Sequence, residues 1–202
     1  MVIYEYNIRQ VLHDEFLNNK DFISDPDTIL VNELDVCFGT ARIDVAVING
    51  KMHGFEIKSE QDNLERLPAQ IEAYNKIFDT LTVVVSEKHV SNVIKMIPEW
   101  WGIYCVSKEK DSLILKKIRL PQINNEVSTF YLSQLLWKNE LLELLHKFGI
   151  KKGTKSKSRF ALCEIVAGNI NEEEVKKFVR EKLKSRNWKA VKLRQLYDDL
   201  HL

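Results

Sequence analysis

Apolar residues recur at Ile8, Val11, Leu12 and Phe16, the three-and-four spacing of one helix face, so residues 6–19 read as a helix. Asp25-Pro26-Asp27 is a breaker. The period then changes. Residues 28–38 read as a strand ended by Gly39-Thr40, and strands at about 41–48 and 51–58 follow around Asn49-Gly50. Leu64, Leu67, Ile71, Tyr74 and Phe78 mark a helix over about 62–78, with Pro68 tolerable only near its first turns or at a kink. Residues 81–86 form a buried strand, 88–96 a short helix, and strands near 102–106 and 112–118 close the sheet. Pro121 to Val127 reads as a linker. From Ser128 the texture is helical: an apolar stripe runs through Phe130, Leu132, Leu135, Leu136, Leu141, Leu142 and Leu145. Helices near 159–168 and 172–186 follow, the second with Asn171 and Glu174 spaced as a cap. The fold expected is mixed α/β: a helix–three strands–helix–strand core with a mixed central sheet over 1–120, and a helical region over 128–202.

The register of the 41–58 hairpin decides what its charged residues can do. A two-residue turn at Asn49-Gly50 would put Asp44 beside Phe55 and mix charge with core. A three-residue loop Ile48-Asn49-Gly50, with Gly50 left-handed, pairs Val47 with Lys51 and turns the apolar odd-numbered residues one way. Asp44 then lies diagonal to Glu56, at roughly 7–8 Å or less between Cβ atoms. The burial pattern favours this register, because a one-residue slip would expose a whole face.

Two strand acids on one face, with Lys58 two residues past Glu56, fit a hard divalent cation. Mg2+ or Mn2+ would take Asp44, Glu56 and the backbone carbonyl of Ile57, with Glu33 as a further ligand or one bound through water. Such an ion activates water for phosphodiester hydrolysis, and Lys58 would orient that water. Ser59 and Asp62 read as a cap for the next helix, or else as phosphate ligands through water.

The 202 residues carry a net charge of +1, but unevenly. Residues 1–120 hold 14 Lys and Arg against 19 acids; residues 121–202 hold 16 against 10. Within the second part, Lys147, Lys151, Lys152, Lys155, Lys157 and Arg159 stand around Gly149 and Gly153 with no acid among them. They read as a phosphate-holding surface, or as the solvated face of lysine-rich helices. Cys37, Cys105 and Cys163 are scattered, which argues against zinc or disulfides and for the cytoplasm. No apolar run is long enough for a membrane span, and no secretory signal is expected. His53 reads as a solvated strand residue. Trp100, Trp101, Trp137 and Trp188 are too dispersed to indicate base stacking.

Asp44, Glu56-Ile57-Lys58 and Gln70-Ile71-Glu72-Ala73-Tyr74, in that order, resemble the PD-(D/E)XK nuclease superfamily, in its RecB-type branch with a Q-x-x-x-Y helix. Gly54–Ser59 and Leu64–Gln70 resemble a group of small bacterial and phage proteins within it. The proline of the superfamily name is replaced by Ile43. The resemblance implies a restriction-endonuclease-like core and metal ligation by Asp44 and Glu56. It implies water activation by Lys58 and steadying of the site by Gln70, with Tyr74 contacting nucleic-acid backbone or packing against the site.

The expected function is therefore a Mg2+- or Mn2+-dependent deoxyribonuclease acting in repair, phage biology or defence, with DNA favoured as partner and no membrane. The rival readings are a catalytically silent or partner-dependent nucleic-acid-binding module on the same fold, and a protein-interaction factor docking through its C-terminal helices. A homodimer or a larger enzyme partner is left open.

Overall fold

Side-chain alternation along the central strands sorts the core into two clusters, one on each face of a single sheet. The computed structural model describes residues 2–110, 112–186 and 190–192. In chain order its elements are α1 (Glu5–Asn18), α2 (Lys20–Ile23), β1 (Ile29–Val36), β2 (Ala41–Ile48), β3 (Met52–Lys58), α3 (Leu67–Tyr74), β4 (Thr80–Ser86) and α4 (Val90–Met96). β5 (Gly102–Glu109), β6 (Ser112–Arg119), α5 (Thr129–Ser133), α6 (Lys138–Lys147), α7 (Arg159–Asn169), α8 (Glu172–Ser185) and the short β7 (Ala190–Lys192) follow. The strand order is β6-β5-β4-β3-β2-β1-β7. β3–β4 and β4–β5 are parallel and the other pairs antiparallel, so the sheet is mixed, as the element order predicts. Trp188, and the expected helical region beyond 186 apart from 190–192, lie outside the described residues.

On one face, Ile8, Leu12 and Phe16 of α1 pack against Leu30, Val45, Val47, Phe55, Ile57 and Val84. On the other, α3 and the C-terminal helices pack against Ile29, Val31, Ala46, Ile48, Leu81 and Val83. The leucines of α5 and α6 belong to this second cluster: Leu132, Leu136, Leu141, Leu144 and Leu145 are all buried there. The segment read as a linker is strapped down instead. Asn124 is buried, donating through its side chain to the carbonyls of Asn75 and Phe78 and through its backbone N–H to that of Asp79. Asp79 also accepts from the Met52 N–H and pairs with Lys176 of α8 at 3.3 Å, which ties that helix to the start of β3. Asn171 caps α8 by accepting from the Glu174 N–H.

The β2–β3 hairpin keeps the expected parity but not the expected loop. Ile48 pairs with Met52 and Val45 with Phe55, so the loop is Asn49–Lys51. Gly50 is not left-handed. The Asn49 side chain closes the turn by accepting from the Lys51 N–H at 2.9 Å. Val45, Val47, Phe55 and Ile57 share a face as expected, but Ile43 packs in the opposite cluster. The cause is a reversal of alternation where Glu33 of β1, left-handed at φ 55°, lies between the pairs Asn32–Val45 and Leu34–Ile43. α3 begins at Leu67 rather than near 62, with Pro68 in its first turn. Asp62 does not cap it. Its carboxylate accepts from the N–H and hydroxyl of Ser59, closing a turn after β3. His53 is half-buried, with Nδ1 2.7 Å from Thr80 Oγ1, and burial lowers its pKa to about 4.

Gly54 on β3 is packed too tightly by its neighbours for any side chain. A Cβ there would stand 2.7 Å from Leu81 Cδ2 and 3.0 Å from Phe78 Cγ. Gly50 has nothing within 4 Å. Gly54→Ala is expected to lose about 1–3 kcal/mol by overpacking, read as a lowered denaturant midpoint, while Gly50→Ala leaves the midpoint within about 0.5 kcal/mol of wild type.

Candidate functional site

Asp44, Glu56, Lys58 and Gln70 do meet. They line one open cavity of about 650 Å3 beside the ends of β2 and β3, together with Glu5, Glu33, Asp35, Asp62, Arg42 and Arg66. The β2–β3 ladder runs only from Ile48–Met52 to Val45–Phe55. Beyond it the Asp44 carboxylate accepts from the Ile57 N–H at 2.6 Å, a side chain standing where a strand partner would. Arg9 of α1 donates to the Asp44 carbonyl and to the Asn32 side chain, which ties α1 to β1 and β2 at this point.

Glu56 is 1% exposed and Lys58 4%. Such a carboxylate survives only if its charge is answered. Lys58 Nζ donates to Glu56 Oε1 at 2.8 Å and to Gln70 Oε1 at 3.0 Å; Gln70 Nε2 donates to the same carboxylate at 2.6 Å. The Tyr74 hydroxyl stands 3.0 Å from Glu56 Oε2 and 2.5 Å from the carbonyl of Arg42. Strand β3, helix α3 and strand β2 are thereby joined around one acid. Burial pushes the pKa of Glu56 up, against the pull of Lys58, Tyr74 and Gln70. The carboxyl of Asp44 is raised to about 7, first by burial and then by the charge of Glu56. Burial and Glu56 likewise raise the Tyr74 phenol.

The cation expected here finds little free. Both oxygens of Glu56 face donors, and among the described residues no group of three or more His, Cys, Asp or Glu is placed to hold a metal. Mg2+ or Mn2+ would have to displace Lys58 or Gln70 from Glu56. Glu33 is exposed and pairs with Arg42 at 3.1 Å. Tyr74 is fully buried, between Phe78 and Trp101, which puts it out of reach of a nucleic-acid backbone and assigns it to packing.

The basic residues lie elsewhere. Lys151, Lys152, Lys155 and Lys157 are exposed on the loop leading into α7, with Thr154 buried as its anchor. Arg159 is half-buried, donates to the Gln134 carbonyl and places its guanidinium 5.0 Å from the Phe38 ring centre. Phe38 and Phe160 are 43% and 51% exposed and stack at 6.0 Å. Neither phenylalanine, nor Gln134, which lines a groove with both, stood out in the sequence; the signal available was an aromatic beside the strand-ending Gly39.

The family model for bacteriophage P4 protein cII matches residues 2–196. The chain belongs to that family. It is 30% identical over 173 residues to Protein cII of Enterobacteria phage P4, an alignment that takes in 85% of this chain and 64% of that protein, so the chain spans less than two thirds of its relative's length. No solved structure matches it. Membership of the P4 cII family overturns the resemblance to PD-(D/E)XK nucleases, and with it the deoxyribonuclease, hydrolase and enzyme readings. No helix among the described residues is long and apolar enough to cross a membrane.

Two outcomes follow from the buried network. Lys58→Met strands the Glu56 carboxylate and should cost about 3–5 kcal/mol of stability, much of which the double variant Glu56→Gln/Lys58→Met recovers; denaturant melts of the three proteins check this. The carboxyl of Asp44 is raised to about 7 in the folded protein, from an ordinary value of 3.8. The folded state therefore binds the extra proton between those values, and stability falls as pH rises through that window and levels above it. Asp44→Asn should flatten that slope in melts taken across pH 4 to 8.

Proposed function

We propose that this chain is a non-catalytic nucleic-acid-binding module that holds phosphates through the loop before α7. What carries the reading is the acid-free run of exposed lysines at 151, 152, 155 and 157, opening on Arg159. A polyanion gains from such a surface by releasing counterions, without needing any base contact. The cavity around Glu56 suits the same ligand poorly. Its lining has Glu5, Glu33, Asp35, Asp44, Glu56 and Asp62 against Arg42, Lys58 and Arg66, and Lys58 is already spent on Glu56. In this reading the Glu56 network is a structural strut rather than a reaction centre. Docking through the leucines of 129–148 has less support, since those side chains fill the chain's own core.

The test is fluorescence anisotropy of labelled DNA against salt. Wild type should bind at low salt and lose affinity steeply. Replacing Lys151, Lys152, Lys155 and Lys157 with Ala should weaken binding and reduce the slope of log K against log salt by about 0.9 for each lysine that touches a phosphate. DNA incubated with the protein in Mg2+ or Mn2+ should stay intact. Cleavage that Lys58→Ala abolishes, or affinity indifferent to the four lysines, would overturn the reading.

A further inference from the structure

We propose that the ridge formed by Phe38 and Phe160 is a stacking site for the unpaired bases of a single-stranded nucleic acid. The proposal rests on the phosphate-binding reading above and adds strandedness to it. Four independent features converge on the ridge.

The first is cost. Phe38 is left-handed at φ 56°, as is Cys37 beside it at φ 52°. A bulky side chain in that region is strained. Phe38 is also 43% exposed, so burial does not offset the strain. A residue unfavourable on both counts serves neither the turn nor the core. The second is shape. The two rings lie 22° from parallel, and Phe130 meets Phe160 edge-on at 5.1 Å. Grooves of about 500 and 370 Å3 flank it, and Phe38 lines both.

The third is an unanswered amide. Gln134 is 3% exposed, lines both grooves, and among the described residues has no hydrogen-bond partner on either its side-chain oxygen or its nitrogen. A buried amide left unmatched is unfavourable on each atom. Its donor and acceptor together match the edge of a nucleobase. The fourth is charge. Arg159 covers the Phe38 ring, its Nε is likewise buried without a partner among the described residues, and Lys157 stands two residues before it. Bases on the ridge would thus have their phosphates beside the lysine loop. A duplex hides its base faces within its own stack, so only an unpaired strand can use an aromatic ridge of this kind.

The experiment measures anisotropy with full-length protein and labelled oligothymidylate, oligouridylate and a DNA duplex of equal length, each about 20 nucleotides long. Wild type should prefer the single strands, and the ratio of the first two separates DNA from RNA. Phe160→Ala and Phe38→Gly should each lower single-strand affinity by about fivefold to a hundredfold while leaving duplex affinity unchanged. Phe38→Gly also relieves the left-handed strain, so its thermal midpoint should rise while binding falls, which rules out misfolding as the cause. Equal affinity for single strands and duplex, or single-strand affinity unmoved by both variants, overturns the ridge but leaves phosphate binding by the lysine loop standing. Absence of any nucleic-acid binding at low salt defeats the underlying reading, and the ridge with it.

Discussion

A carboxylate with 1% of its surface exposed is the constraint around which this molecule is arranged. Glu56 cannot be kept ionised by solvent, so its neighbours must supply what water would. Lys58 is on the same strand and Gln70 and Tyr74 are on α3, one turn apart. Satisfying one acid therefore fixes the rotation of α3 about its axis. That rotation in turn places Tyr74 beside Phe78 and Trp101, at the heart of the larger core. The tyrosine hydroxyl also reaches the Arg42 carbonyl, so β2 is tied to the same point. The close approach at Gly54 follows from this seating, since Phe78 sits directly over it.

The hairpin shows which of these features could be read beforehand. Parity was readable, because an alternating apolar run admits one buried face and a slip by one residue is costly. The loop was not. Asn49 closes its own turn with its side chain, a local competition that a count of apolar positions does not register. The reversal at Glu33 was also out of reach, since it needs a left-handed residue inside a strand. The late start of α3 has the same origin as the loop: Asp62 had a nearer partner in Ser59 than the helix amides.

For the charged cluster, convergence was readable and purpose was not. An acid, an acid-x-Lys strand and a Gln-x-x-x-Tyr helix specify which groups come together. They do so equally for a reaction centre and for a self-satisfied network, because both need opposite charges and amides at hydrogen-bond distance. Membership of the P4 cII family removes the nuclease resemblance that had favoured a reaction centre over a self-satisfied network. The leucine stripe of α5 and α6 held a similar ambiguity between docking and core. Leu132, Leu136, Leu141 and Leu145 resolve it by their burial against the sheet, and the Asp79–Lys176 and Glu140–Arg186 pairs clamp α8 and the residue after it to that core.

A chain that answers its buried charges so thoroughly makes its exceptions informative. Glu56, Glu140 and Asp79 each have a cation within reach, and Lys58 and Lys176 are spent on them. Against that background, the strained Phe38, the half-exposed Phe160 and Gln134, unmatched among the described residues, line the same groove, next to a loop whose sequence holds lysines and no acid. Local rules tend to be broken where function requires it and obeyed elsewhere. In the acidic cavity the buried Glu56 and Lys58 are matched from within the fold, and the left-handed Glu33 on its lining is ion-paired with Arg42. On the aromatic face, the donors, acceptors and ring surfaces left over among the described residues are those a partner would match.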